Sequence, residues 1–405
     1  MSVTNPTRSV LKPTIMLKTM LIHDMLHHLD KHVPSEVKKF SNFFKDAGFE
    51  IRIVGGWVRD IQSCIPKDID LATDATPEQI IELCNKHNIK YIETGIQHGT
   101  ITVFLGAISI EVTTLRIDIS PDGRHSDVEF TTDWKIDAAR RDFTINAMSV
   151  GFDGTLYDYF GGFDDLSMKK VRFVGNAIER IKEDYLRILR YFRFRTHMLD
   201  ASRDHDTFHA IIQTADGLTN ISVERIWTEM SKILSGDSLI LGTTLADMMD
   251  TNVFKYIGLE KVERYDLVNA IVTRYRTMNP LTVLAAMTNE PIASLWKMSN
   301  NEKKFFNFAL SHKQKSYMNL KDFQIIALNH SKEWAIEIAC LLRKNEILNK
   351  IETWDIPVFP IKGQDLIDIK NFKSGPNLGK SLQLLRQYWI DSDFNLTKND
   401  LLSMI

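Results

Sequence analysis

A chain of 405 residues is longer than a single hydrophobic core usually organises, so two or more domains are expected. Its formal net charge of −2 leaves no global field for nucleic acid, and any such binding must come from local basic patches. The three cysteines, Cys64, Cys84 and Cys340, are scattered, which argues against a disulfide framework or a zinc site and for a reducing intracellular compartment.

Along the chain, Asp24 is the first acidic residue, preceded by Arg8, Lys12 and Lys18 among several Ser and Thr. Residues 1–35 therefore read either as an Arg-poor mitochondrial transit peptide with an extension or as a disordered N-terminus. Met16 and Met20 could start a shorter form. No apolar run reaches the length that crosses a bilayer, so a soluble protein of mitochondria, cytosol or nucleus is expected.

Ile51–Val54 is a predicted strand running into Gly55 and Gly56. Thr76–His87 is amphipathic, with Thr76 as N-cap and Pro77 at the first helical position. Thr100–Leu105 and Ile108–Thr114 are rich in β-branched residues and flank Gly106, which predicts a hairpin. Asp118–Trp134 is polar and predicts a long mobile loop. From about Ala177 the pattern is helical nearly to the end. The fold class is α+β: a head with a mixed sheet (36–160), then a long all-α remainder (161–405).

The chemistry concentrates in "IVGGWVRDIQSCIPKDIDLAT", residues 53–73. If Asp68–Leu71 is extended, Asp68 and Asp70 share one face. Two adjacent carboxylates repel unless a cation lies between them, and Mg²⁺ fits because it binds one or two carboxylates plus substrate phosphates. Gly55 and Gly56 would let backbone N–H groups approach a triphosphate, and Arg59 would offer it a charged fork. Glu111, on the second strand of the hairpin, could add a third catalytic carboxylate.

Gly-Gly, Val-Arg-Asp and Asp-x-Asp in this order resemble the polymerase-β nucleotidyltransferase superfamily. More narrowly, they are similar to the class II tRNA nucleotidyltransferases and bacterial poly(A) polymerases. Trp57 stands where that family often has a small residue. The resemblance continues in "DAARRDFTINA" (137–147), where it implies that Arg141 contacts the nucleotide and Asp142 accepts a hydrogen bond from the ribose 2′-hydroxyl. "YDYFGGFDDL" (157–166) resembles a head-to-neck joint, and is equally a plain interdomain turn.

Residues 177–195 carry an apolar stripe at helical spacing: Ile178, Ile181, Tyr185, Ile188, Leu189 and Phe192. On a continuous helix Asp184 and Arg187 are i, i+3 neighbours, and Arg193 lies nearly opposite Asp184, towards phosphate or RNA. Lys169–Arg195 holds nine Lys or Arg against three acids, so this stretch is expected to bind anions. "EDYLRILRYFRF" resembles the motif in which protein replaces a template strand, which implies that Asp184 and Arg187 read the base. Arg190 is expected to hold the nucleotide. "SVERIWTEMSKIL" (222–234) resembles a neck buttress, so Glu224, Arg225, Glu229 and Lys232 are expected to be structural. Near the end, Gly375, Gly379 and Lys380 either meet a phosphate backbone or close a helix.

The resemblance implies an enzyme that adds CCA to tRNA lacking it, from CTP and ATP, with Mg²⁺, away from membranes, as a monomer or homodimer. Its movable loop (118–137) would accompany the change from C to A. The rivals are a poly(A) polymerase, a CC-only enzyme, and a catalytically silent tRNA-binding protein.

Overall fold

The computed structural model describes residues 25–60, 68–119, 127–198, 203–259, 262, 279–370 and 372–405. Most of the expected N-terminal extension, up to Asp24, lies outside the described residues; residues 25–32 are helical. The chain forms two compact units, Met1–Glu229 with Asp247–Ile257, and Met230–Ala246 with Gly258–Ile405. Among the described residues no helix is long and apolar enough to cross a membrane.

The first unit opens with α1 (Ser35–Asp46), β1 (Ile51–Val54), α2 (Gly56–Asp60), β2 (Asp70–Thr73), α3 (Pro77–Lys86) and β3 (Lys90–Gly95). The predicted hairpin follows as β4 (Thr100–Leu105) and β5 (Ile108–Thr114), with the expected bounds. Thr76 caps α3 in a reciprocal capping box with Gln79, and Pro77 takes the first turn. After β6 (Arg116–Ile119), β7 (Asp127–Phe130) and α4 (Trp134–Ala139), β8 (Ser149–Gly151) and β9 (Leu156–Tyr157) complete the sheet.

The seven strands lie in the order β3-β4-β5-β2-β1-β8-β9. Only β2 and β5 pair in parallel, so the sheet is mixed as expected. Every residue of β1 is buried, the mark of a central strand covered on both faces. On one face Ile53, Leu71, Ile101, Val103 and Val112 pack with Phe40 and Phe44 of α1 and Ile80 of α3. On the other face the Arg52 guanidinium lies between the Trp134 and Tyr157 rings, at 3.9 and 3.3 Å, and pairs with Glu50 at 2.8 Å. Trp57 is absorbed into the core at 1% exposure.

Two expectations need correction. The segment 118–134 is not simply a loop: β6 and β7 form a two-stranded antiparallel ribbon, with 120–126 outside the described residues. Ile117 with Ile119, and Val128 with Phe130, alternate with polar residues as strands do, but the pairing sets the two apolar pairs on opposite faces, so the segment reads by composition as a polar loop. Nor is 177–195 one helix. It divides into α6 (Ala177–Glu183) and α7 (Leu186–Arg195), preceded by α5 (Gly162–Ser167), and Asp184 between them is extended at φ −153°, ψ 105°. The Asp184 carboxylate accepts the Leu186 N–H at 3.1 Å. This local bond offers the backbone an alternative to the helix, while the apolar stripe continues past the break.

The pair Gly161–Gly162 is a capped turn. Gly161 has φ +75°, and the Asp158 carboxylate accepts the N–H groups of Gly162 and Phe163 at 2.9 and 3.0 Å. Beyond these lie α8 (His205–Thr214), α9 (Val223–Leu234) and a helical remainder. The second unit has its own core around Leu366, Leu385, Trp389 and Leu401.

A Cβ on Gly162 would lie 2.2 Å from the Thr144 carbonyl oxygen, a backbone atom that cannot swing aside. Gly162→Ala should therefore lose about 1–3 kcal/mol of stability in denaturant unfolding. Gly379→Ala, with open space around it in a helix, should lose nothing or gain up to about 1 kcal/mol.

Candidate active site

The parallel register of β2 and β5 sets Asp70 directly beside Glu111, and Asp68 lies two residues upstream. The Asp70 carboxyl is pushed above the ordinary carboxylate range, first by desolvation and then by the charges of Glu111 and Asp68, with Arg141 opposing. Desolvation acts here although the residue as a whole stays exposed at the strand end. Gly55 turns the chain at φ +72°, and a Cβ there would lie 3.6 Å from Asp70 Oδ2, so bare backbone reaches the carboxylate. Among the described residues no three His, Cys, Asp or Glu side chains converge into a closed metal site. A hard divalent ion that takes one or two carboxylates and completes its shell with phosphate needs no closed set, so these donors fit it.

Next to Gly55 and Gly56 opens a cavity of about 450 Å³. Seven arginines line it, Arg59, Arg140, Arg141, Arg187, Arg190, Arg193 and Arg225, against three aspartates, Asp118, Asp142 and Asp184. The lining is thus suited to a polyanion. Of the expected site residues, Asp68, Asp70 and Glu111 stand outside this lining, and all the others are within it.

Each arginine is held by a carboxylate. Arg59 grips Asp60 through two bonds of 2.6 and 2.7 Å, and also donates to Asn146 Oδ1 at 2.8 Å. Arg140 and Arg141 share the buried Asp137, at 2.8 and 3.2 Å. Arg190 forks onto Asp142 Oδ2 at 2.8 and 2.6 Å. Arg193 reaches Glu229 at 2.8 Å. The Phe194 ring packs against Arg193, Arg59 and Arg190, at 4.5, 4.7 and 5.7 Å.

Asp142, expected at the sugar, is nearly saturated: Oδ1 accepts the Phe143 N–H and Asn146 Nδ2, each at 2.9 Å, while Oδ2 takes the Arg190 fork. Asn146 thereby ties Arg59 to Asp142. Sequence reasoning passed over it, because an asparagine within a quoted motif carries no charge pattern.

The break at Asp184 changes the geometry of the expected base-reading pair. Asp184 and Arg187 line the same cavity, but they are not bonded to each other. Asp184 Oδ2 accepts from Arg225 at 2.7 Å. Arg187 Nη1 donates to Glu183 Oε2 at 2.6 Å and to the Arg180 carbonyl at 2.8 Å. Its Nε and Nη2 have no partner among the described residues. Arg193, placed opposite Asp184 by a continuous helix, lines the same cavity because the helix is not continuous. Arg225, expected to be structural, lines the cavity as well and is a direct partner of Asp184. Its signal was the charge alternation of "SVERIWTEM", which alone does not say where the side chain lands.

Comparison with known proteins places this geometry. Residues 51–172 match the family described as "Poly A polymerase head domain", and residues 204–260 match "Probable RNA and SrmB- binding site of polymerase A". The chain is 41% identical over 391 residues to human "CCA tRNA nucleotidyltransferase 1, mitochondrial", covering 91% of this chain and 89% of that protein. It is 30% identical to the "CCA-adding enzyme" of Lactococcus lactis subsp. cremoris, covering 88% and 92%. Among solved structures, the Bacillus stearothermophilus CCA-adding enzyme in complex with CTP superimposes with a TM-score of 0.71 at 26% identity, covering 88% and 93%.

The Asp142 carboxyl is held below its ordinary range: desolvation opposes ionisation, but Arg190, Asn146 and the Phe143 N–H outweigh it. A depressed folded-state pKa gives stability that is present above the unfolded value near ~3.9 and is lost as pH falls through the folded value. Asp142→Asn should therefore cost on the order of 2 kcal/mol at pH 7, leaving the Arg190 charge poorly matched. The gap from wild type should begin to narrow as pH drops below about 4 and should close only below the depressed folded-state value, where both proteins carry a neutral side chain. Denaturant unfolding at a series of pH values reads both effects.

Proposed function

Because the chain belongs to the family of CCA-adding tRNA nucleotidyltransferases, we propose that its arginine-lined cleft extends tRNA lacking 3′ CCA with C, C and A, from CTP and ATP. The observation that carries this reading is that Asp184 and Arg187 line one cavity together with the Gly55–Gly56 turn and six further arginines.

Asp68 and Asp70, with Glu111 beside them, would hold the divalent metal that such enzymes generally use, and we propose Mg²⁺. When bound, it supplies charge to the triphosphate and acidity to the attacking 3′-hydroxyl. The chain's own residues do the rest. Gly55 and Gly56 bring the turn's backbone close, and Arg59, Arg141, Arg190 and Arg193 face the phosphates and sugar. Asp142 chiefly orients Arg190, and a sugar hydroxyl would share its Oδ2 with that guanidinium.

Base choice follows from donors and acceptors. Cytosine N4 and adenine N6 donate, which suits the Asp184 carboxylate; cytosine N3 and O2 and adenine N1 accept, which suits Nε and Nη2 of Arg187. Guanine and uracil reverse both and would leave buried polar groups unpaired. Residues 36–160 would be the catalytic head, 161–235 the selecting neck, 236–355 the body and 356–405 the tRNA-binding tail. A mitochondrial location is part of this proposal, supported by the human relative's being a mitochondrial enzyme by name.

Incubation of tRNA lacking CCA with each nucleotide alone and in combination tests the activity: CTP must enter first, and ATP only after it. Incorporation of ATP alone would instead mark a poly(A) polymerase. Asp70→Ala should reduce incorporation of both nucleotides at least about a thousandfold while tRNA binding persists. Retained turnover would remove the metal role. Arg187→Ala should let UTP or GTP enter, and an unchanged preference would refute base reading by this pair.

A further inference from the structure

We infer that Arg180, acting through Glu183, is a positioning residue for base selection: it fixes the Arg187 guanidinium relative to the turn that carries Arg141 and Asp142. The inference rests on the reading of Arg187 as a base-reading side chain.

Arg180 sits on α6, outside the cavity lining, with its side chain 13% exposed. One end of its fork, Nη2, donates to the carbonyls of Arg140 and Arg141, the latter at 3.0 Å. The other end, Nη1, donates to the Glu183 carboxylate at 2.6 Å. That carboxylate accepts from Arg187 Nη1 at 2.6 Å, and the same nitrogen donates to the Arg180 carbonyl at 2.8 Å. Every bond on the Arg187 guanidinium among the described residues therefore goes to residue 180 or to its partner 183.

Both restraints fall on one nitrogen of Arg187, which leaves Nε and Nη2 as the edge for the base. Glu183 separates two guanidinium groups that would otherwise repel, since Arg187 lowers the pKa of Arg180, second only to burial. The planar fork is what allows one side chain to hold backbone carbonyls and a carboxylate at once. A lysine ammonium offers a single point and cannot span both. Selection by unpaired polar groups depends on donors held within about 0.5 Å of their place. A loosened Arg187 could turn to meet a wrong base edge, so errors would rise before catalysis fails.

The test compares Arg180→Lys, Arg180→Met, Glu183→Gln and Arg187→Ala with the wild-type full chain on tRNA lacking CCA. Steady-state kcat and KM are measured for CTP, and for UTP and GTP as wrong substrates, with thermal unfolding alongside. For the Arg180 variants and Glu183→Gln, wrong-nucleotide kcat/KM relative to CTP should rise about tenfold or more, while kcat for CTP falls by a smaller factor. Glu183→Gln keeps the side chain's shape and covers the case in which an Arg180 variant does not fold. Equal losses for all nucleotides, with discrimination intact, would overturn the inference and leave Arg180 a structural brace. If Arg187→Ala relaxes choice and the other variants do not, this inference alone fails. If Arg187→Ala leaves choice unchanged, the base-reading role fails and takes this inference with it.

Discussion

Seven guanidinium groups around one cavity of about 450 Å³ repel each other, and much of the first unit is arranged to relieve that repulsion. The carboxylates come from separate segments: Asp60 beside the glycine turn, Asp137 and Asp142 after the ribbon, Glu183 and Asp184 at the helix break, and Glu229 on α9. Each arginine is thereby fixed before a substrate arrives. Such preorganisation matters because charges already in place cost no reorganisation when a triphosphate enters. It also ties α6 and α7 to the turn that follows α4, since the Arg190–Asp142 fork and the Arg180 bonds to residues 140 and 141 join the two stretches of sequence.

The opposite sign gathers a short distance away. Asp68, Asp70 and Glu111 form an acidic patch, and the Asp70 carboxyl is raised first by its desolvation and then by these two neighbours. Only the bare backbone of Gly55 separates Asp70 from the turn that leads to the arginines. A nucleoside triphosphate carrying a divalent cation, as proposed, would answer both regions at once.

Local chemistry made some of this legible in the sequence. The hairpin was readable because β-branched runs flank a glycine, and the α3 start because Thr76 and Pro77 each act within one turn. The side-by-side placement of Asp70 and Glu111 needed strand pairing between distant segments, which periodicity cannot supply. The break at Asp184 was hidden because Ile181, Leu186, Ile188, Leu189 and Phe192 are buried on both sides of it, so the apolar stripe looks unbroken. The partner of Asp184 lies 41 residues away, at Arg225. A contact of that kind leaves no trace in a window of sequence.

On the proposed reading of Asp184 and Arg187 as base-reading groups, the break is also what frees the two side chains for that task. On an intact helix face, Asp184 and Arg187 would most easily satisfy each other as a surface pair, worth little and blind to substrate. With the chain extended at Asp184, its carboxylate is held by the Leu186 N–H on one oxygen and by Arg225 on the other. Arg187 is drawn instead to Glu183 and the Arg180 carbonyl. The two reading groups are thus supported from outside the pair and turn their remaining capacity to the cavity. Discrimination then rests on leaving a fixed donor or acceptor unpaired when the wrong base enters, a penalty that grows with the rigidity of the supporting bonds. Restoring helical geometry at residue 184 would bring the two groups together and remove the penalty, even with every side chain of the site still present.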